Sequence, residues 1–155
     1  MKKTDIIIHG CLILPVDGKT RIIEEGSIAI ENGKIAYVGK KAKSSSFKSE
    51  NIVDGHGKIA MPGLINCHTH LPMTLFRGVA EDQPLDKWLM ETIWPLEANF
   101  QPDDIYYGAL LGCLEMIKSG TTCFADMYFH EGKIAEAVEK AGLRAVLAQG
   151  IIEAG

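Results

Sequence analysis

The sequence predicts an α/β protein in two parts: a small all-β unit over residues 1–60, then parallel strands alternating with helices over residues 61–155. Three observations carry this prediction. Short runs with β-type alternation, broken by turn residues, fill the first part. The apolar period lengthens after Pro62-Gly63, and from there the elements read β-α-β-α-β.

In the first part, "DIIIHGCLILP" is a strand run. Asp17-Gly18 and Asn32-Gly33 lie where tight turns need positive φ, and "SIAI" and "KIAYV" around Asn32-Gly33 read as a hairpin. "KKAKSSSFKSEN" is the most loop-like segment, and "NIVDGHGKIAMPG" supplies a last strand.

The second part opens on "GLINCHTH", a compact strand with few charges. In "QPLDKWLMETIW", Pro84 suits a first helical turn, and Leu85, Trp88, Leu89 and Ile93 recur at helical spacing until Pro95 ends the helix. A longer helix runs from Pro102 to about Lys118. Asp103 and Asp104 favour its positive end, Lys118 its negative end and Gly120 its stop, with Tyr106, Leu110, Cys113, Leu114 and Ile117 as the buried stripe. "TTCFADM" is the second strand. A third helix over residues 131–141 carries Ile134, Val138 and Ala141 on one face, stops at Gly142 and feeds "LRAVLAQGI", the third strand. Such alternation fits an open doubly wound sheet or part of a (β/α)8 barrel, and no Gly-rich phosphate loop favours the first. "GKT" at Gly18 to Thr20 has Ile13 where a P-loop needs glycine.

Composition narrows the function classes. A chain of 155 residues with 46% hydrophobic content can build a core, and a net charge of −4 from interspersed acids and bases sets up no field for a polyanion. Nucleic acid is therefore not an expected partner, and neither is a membrane, because no apolar run approaches the roughly 18 to 20 residues of a spanning helix. Cys11, Cys67, Cys113 and Cys123 show no CxxC pair, and "MKKTDIIIHG" lacks a signal peptide's apolar region, so a reducing cytoplasm is the expected setting.

The chemistry concentrates at His68 and His70. In a strand, residues i and i+2 project to one side, so the two imidazoles converge. Such a pair suits a cation at about 2.0–2.1 Å from each nitrogen, with zinc the usual occupant and iron, manganese or nickel the alternatives. The plainer reading is two polar residues closing a strand. Against it, two inward rings would need several partners or would lose charge at a cost of kcal/mol, and ligation resolves both. Catalytic zinc generally takes three protein ligands, so at least one more must come from elsewhere.

The residues also carry a resemblance. "PGLINCHTHLPMTLFRGVAED", "WLMETIWPLE" and "SGTTCFADMYFH", after a "DGHG" entry, resemble the amidohydrolase superfamily, in the branch of 5-methylthioadenosine/S-adenosylhomocysteine deaminases with their triazine-hydrolase and guanine-deaminase relatives. The resemblance implies a metal-dependent (β/α)8 barrel preceded by a small β-sandwich unit. Residues 1–60 then supply the N-terminal part of the sandwich, and residues 61–155 the first two to three βα units of an incomplete barrel. It makes His68 and His70 the first two ligands of a divalent ion, zinc foremost, and places Trp88 and Glu97 at the substrate pocket. There Glu97 accepts from ribose hydroxyls and Trp88 lines the nucleoside site, although a solvated glutamate and a core tryptophan remain the plain alternatives. His130 reads as a helix start or loop, His9 and His56 as structural or exposed, and Arg77 as a brace for the "LFRG" turn through backbone carbonyls. Gln149 stands where members of the branch can carry arginine, which weakens the expectation of a carboxylate-tailed substrate.

The implied activity is hydrolytic deamination of an aminopurine nucleoside by metal-activated water. The sibling reading is the same chemistry on guanine, cytosine or a chloro-s-triazine, and the noncatalytic reading is a truncated piece. A cytidine-deaminase solution is excluded, because H-x-E and P-C-x-x-C are missing. A complete barrel takes about 250 residues, so the sequence reads as an N-terminal portion, inactive alone, with no catalytic acid or base of its own and those groups expected beyond Gly155. A sheet cut there exposes an edge and apolar faces, which homo-oligomerisation is one way to cover.

Overall fold

The computed structural model describes residues 1–19, 21–40 and 46–151. β-Branched residues alternating with polar ones build the first of two units, Met1–Pro62. Its strands are β1 (Lys2–Lys3), β2 (Ile6–Ile13), β3 (Ile23–Glu31), β4 (Lys34–Lys40), β5 (Phe47–Lys48), β6 (Asn51–Asp54) and β7 (Ile59–Ala60). They form one sheet in the order β4-β3-β2-β6, with β7 also pairing with β2, and a separate ladder of β1 with β5. Asn32 and Gly33 sit at φ 51° and 68°, the left-handed pair that lets Glu31 face Lys34 across a two-residue hairpin. Ile7, Cys11, Ile13 and Ala29 are buried.

Two expectations change in this unit. The final run is two strands, β6 and β7, because Lys58 N–H bonds Gly55 O at 2.9 Å and closes a turn between them. Of the loop-like segment, residues 41–45, like Thr20 of "GKT", lie outside the described residues, while Phe47–Lys48 pairs in parallel with Lys2–Lys3.

The second unit, Gly63–Gly155, alternates strand and helix. β8 (Leu64–Thr69) leads into a 3-10 segment, Leu71–Phe76, then α1 (Leu85–Lys87), a π-helical segment Trp88–Ile93, and α2 (Trp94–Glu97). α3 (Pro102–Ser119), β9 (Thr121–Tyr128), α4 (Glu131–Ala141) and β10 (Arg144–Gln149) follow. The three strands are parallel in the order β10-β9-β8, so neighbours in the sheet are neighbours in the chain. The helix signals act as expected at the ends. Gln101 and Asp104 close a capping box at the start of α3, and Gly120 and Gly142 take left-handed C-cap positions after α3 and α4.

Pro95 does not end the helix. It lies inside α2, and the preceding segment widens to π spacing, with Trp94 N–H bonding Leu89 O five residues back. An α-helical register would press the proline ring against the carbonyl four residues earlier, and the wider turn relieves that clash.

The buried face of α3 is also rotated from the expected stripe. Cys113 is buried as expected, but Leu114 and Ile117 are 53% and 48% exposed, and Ile105, Gly108, Ala109, Gly112 and Met116 take the inner face. Small residues decide this. A Cβ on Gly112 would meet Leu71 Cδ1 at 2.5 Å, and one on Gly108 would meet Pro72 O at 2.8 Å, so the 3-10 segment seats directly on the helix backbone. The core joins Ile105, Ala109, Cys113 and Met116 of α3, Phe124 and Tyr128 of β9, and Ile134, Ala137 and Val138 of α4. On β9, burial falls on Phe124, Asp126 and Tyr128, one face of the strand. The opposite face of the sheet leaves Ile65 and Val146 68% and 69% exposed.

Candidate metal centre

In a parallel sheet all strands end on one side, and the chemistry-bearing residues of the second unit collect there. His68 lies one residue before the end of β8 at Thr69, and His70 follows the strand as the residue that caps the 3-10 segment. Asn66 faces Phe124 and Thr69 faces Asp126, three residues against two, so β8 bulges at Cys67 and His68, just ahead of His70. Asn66 Oδ1 takes up the freed backbone donor, accepting from His68 N–H at 3.1 Å. Strand alternation alone therefore does not set the pair; the bulge re-aims it.

The two rings meet edge to face with centres 5.0 Å apart and planes at 78°. Two imidazoles bound through nitrogens about 2.0–2.1 Å from one tetrahedral ion have ring centres about 5 Å apart. The donor set fits as well. His70 Nδ1 lies 2.7 Å from Met127 O, and a carbonyl only accepts, so Nδ1 carries the proton and Nε2 keeps its lone pair. This backbone tether is the usual way a metal-binding histidine is held in one tautomer.

Beside His70 opens a cavity of about 260 Å³, lined by Met73, Leu85, Trp88, Leu89, Ile93, Trp94, Glu97, Met127, Tyr128 and Phe129. Of the residues singled out in the sequence, His70, Trp88 and Glu97 line it, and His68 touches it only through His70. Trp88 and Glu97 are both half-buried. Glu97 Oε1 accepts from Tyr128 O–H at 2.6 Å. Burial and then the Glu97 carboxylate push the Tyr128 phenol well above its usual range, which keeps it a donor.

Three polar groups behind the site were not singled out in the sequence. Asp126, 4% exposed, accepts from Leu71 N–H at 2.8 Å through Oδ1 and so fixes the turn directly after His70. Burial raises its carboxyl to about 6, although the Leu71 N–H and nearby His70 pull the other way. Glu131, 8% exposed, has no hydrogen-bond partner on either carboxyl oxygen among the described residues. Burial, reinforced by the charge of Asp126, raises it to about 7. Tyr128 completes the set. A carboxylate in the middle of the apolar "TTCFADM" strand, on the same face as Phe124 and Tyr128, was the available signal.

The remaining residues fall as follows. His130 starts α4 in a left-handed conformation, φ 51°. Arg77 braces its turn through the Glu115 carboxylate, with Nη2 at 2.7 Å from both oxygens, and not through backbone carbonyls, because Glu115 on α3 faces it. Gln149 Oε1 accepts from Glu131 N–H at 3.2 Å. All four cysteines are free thiols, and no helix among the described residues is long and apolar enough to cross a membrane.

A histidine pair near the carboxyl end of a parallel strand, beside a largely apolar cavity, has the donor chemistry to hold a divalent cation. The chain belongs to the amidohydrolase family, whose model matches residues 59–155. It is 51% identical to a 5-methylthioadenosine/S-adenosylhomocysteine deaminase of Desulforamulus reducens over 95% of this chain and 34% of that protein. To a 5'-deoxyadenosine deaminase of Methanosarcina mazei it is 50% identical, over 96% of this chain and 34% of that one. Among solved structures, an adenosine deaminase of Xanthomonas campestris with bound zinc superposes with a TM-score of 0.89 at 36% identity, over 94% of this chain and 34% of that one. The chain thus spans about a third of the length of the curated relatives it matches.

Proposed function

We propose that the chain is the N-terminal part of a metal-dependent hydrolase that deaminates an aminopurine nucleoside of the 5-methylthioadenosine, S-adenosylhomocysteine or adenosine type. One observation carries the reading: a histidine pair with the ring separation of a shared ion, His70 held in one tautomer by Met127 O, opens onto the cavity that Trp88 and Glu97 line. The deaminase names of the relatives supply the substrate class. In this reading residues 1–60 form the N-terminal part of a β-sandwich and residues 61–155 the first βα units of a barrel. The parallel, chain-order adjacency of β8, β9 and β10 is the order a barrel requires, and the amidohydrolase family match favours a barrel over a doubly wound sheet.

His68 and the Nε2 of His70 hold the divalent ion, zinc by preference. When bound, the ion supplies acidity that brings the pKa of water towards neutrality. Glu97 keeps one carboxylate oxygen on Tyr128 and presents the other to ribose hydroxyls, which need acceptors. Trp88, Leu89 and Ile93 give the base and the 5' substituent an apolar wall that excludes bulk water. Because the relatives are about three times as long, the reading assigns the remaining ligands and the acid-base groups to polypeptide outside residues 1–155. The protein that carries this chain, loaded with zinc, is tested for ammonia release from 5-methylthioadenosine, adenosine and guanine. Release from an adenosine derivative, lost in His68→Ala and His70→Ala, is expected; no release from any adenosine derivative overturns the proposal.

A further inference from the structure

A second group of metal-ligating side chains lies in the first unit, apart from the histidine pair of the second. His9 on β2 and Asp54 on β6 are register partners in adjacent parallel strands, so their side chains leave the sheet on one face. Two residues on, His56 folds back over them. Its Nδ1 lies 2.5 Å from Asp54 Oδ1, and its ring stands edge to face with that of His9, centres 5.7 Å apart. One ligand atom from each of the three residues falls within 4.8 Å of the others.

Two further observations show that the backbone makes room for this cluster and leaves it short of a partner. Gly10 takes φ +76°, and a Cβ there would strike the His56 ring at 2.5 Å, so a side chain at position 10 and the His56 ring cannot coexist. His9 Nδ1 is buried with no hydrogen-bond partner among the described residues. A buried ring nitrogen without a partner is a costly state that ligation ends. The turn is tied to β2, since Gly55 N–H bonds His9 O at 2.8 Å. Lys58 Nζ takes the backbone oxygen of Asp54 at 3.1 Å, leaving the carboxylate to His56. His56 and Asp54 are 56% and 71% exposed, which leaves the cluster open to an ion from solvent.

We propose that His9, Asp54 and His56 form a second divalent-cation site, taking a borderline ion such as Zn2+, Ni2+ or Cu2+ through two imidazoles and one carboxylate, with water filling the remaining positions. Binding at His56 Nδ1 leaves the proton of the neutral ring on Nε2 instead of on the Nδ1–Asp54 Oδ1 bond, and the ion takes that proton's place between the two side chains. It clamps the turn after β6 onto β2.

The test is zinc titration of the full chain against a chromophoric chelator, in wild type and in a His68→Ala/His70→Ala background that removes the other pair. The background protein should keep one zinc, with the ring signals of His9 and His56 shifting saturably in NMR. Adding His56→Gln or Asp54→Asn, both at exposed side chains, should weaken that zinc at least about tenfold. Should the background variant misfold, wild type and His56→Gln are compared directly, and one of the zinc equivalents should bind at least about tenfold more weakly in the variant. Zinc affinity and stoichiometry unchanged by both His56→Gln and Asp54→Asn, or a folded background protein that binds none, overturns the site.

Discussion

Glu131 offers the sharpest stability prediction. Its carboxyl is 8% exposed with neither oxygen hydrogen-bonded, and it titrates at about 7 where 4.5 is ordinary. Two effects compete at this residue. As the first residue of α4 it gains from the helix dipole, worth about 0.3–1 kcal/mol to a carboxylate, but burial and the neighbouring charge of Asp126 outweigh that. Because the folded pKa is raised, the folded state binds the proton more tightly than the unfolded chain. The group therefore does not oppose folding below pH 4.5, and its penalty grows between pH 4.5 and 7 and levels off above that. At about 1.4 kcal/mol per pH unit between the two values, the full penalty is on the order of 3 kcal/mol. Glu131→Gln keeps the shape and removes the charge. Urea unfolding should show the variant about as stable as wild type at pH 4.5 and about 2–3 kcal/mol more stable at pH 8. Other titrating groups are common to both proteins, so the difference isolates this residue and the charge it exerts on Asp126. A difference that is the same at both pH values, or that favours wild type at pH 8, would refute the reasoning.

Further expectations concern the site's supports. Gly112→Ala drives a Cβ to 2.5 Å from buried Leu71 and should cost about 1–3 kcal/mol by thermal or urea unfolding. Gly132→Ala on α4, with nothing within 4 Å, should be neutral or gain up to about 1 kcal/mol, and equal effects of the two changes would contradict the packing described. Tyr128→Phe removes the donor to Glu97 and should cost about 1–2 kcal/mol; a variant as stable as wild type would show that bond to be idle. Arg77→Ala loses an exposed bidentate pair with Glu115 and should cost no more than about 1 kcal/mol, diminishing in high salt.

Much of the fold was legible because its signals are local. Asn32-Gly33 specifies a hairpin by backbone conformation alone, and Pro102 with Asp103 and Asp104, then Gly120, mark α3 by what helix ends require. What escaped depends on partners distant in sequence. The inner face of α3 is chosen by what lies against it, so Gly108, Ala109 and Gly112 win over Leu114 and Ile117, although the larger side chains carry the stronger apolar signal. Pro95 reads as a stop unless the helix widens ahead of it, and nothing in the residues alone announces a π segment. At the candidate site, the spacing of His68 and His70 was visible, whereas the Met127 carbonyl that orients His70, 57 residues away, was not. Asp126 and Tyr128 went unnoticed for the same reason, since their partners Leu71 and Glu97 meet them only after β9 is laid beside β8.

The account turns on the direction in which two imidazoles present their lone pairs. Long-range proton-nitrogen NMR of the histidine rings, in protein carrying His56→Gln, reads this directly before and after zinc. His70 should be protonated at Nδ1 in the free protein, with a saturable change at its Nε2 together with a ring nitrogen of His68 at one equivalent of zinc. His70 protonated at Nε2, or zinc that leaves either ring unchanged, would contradict this.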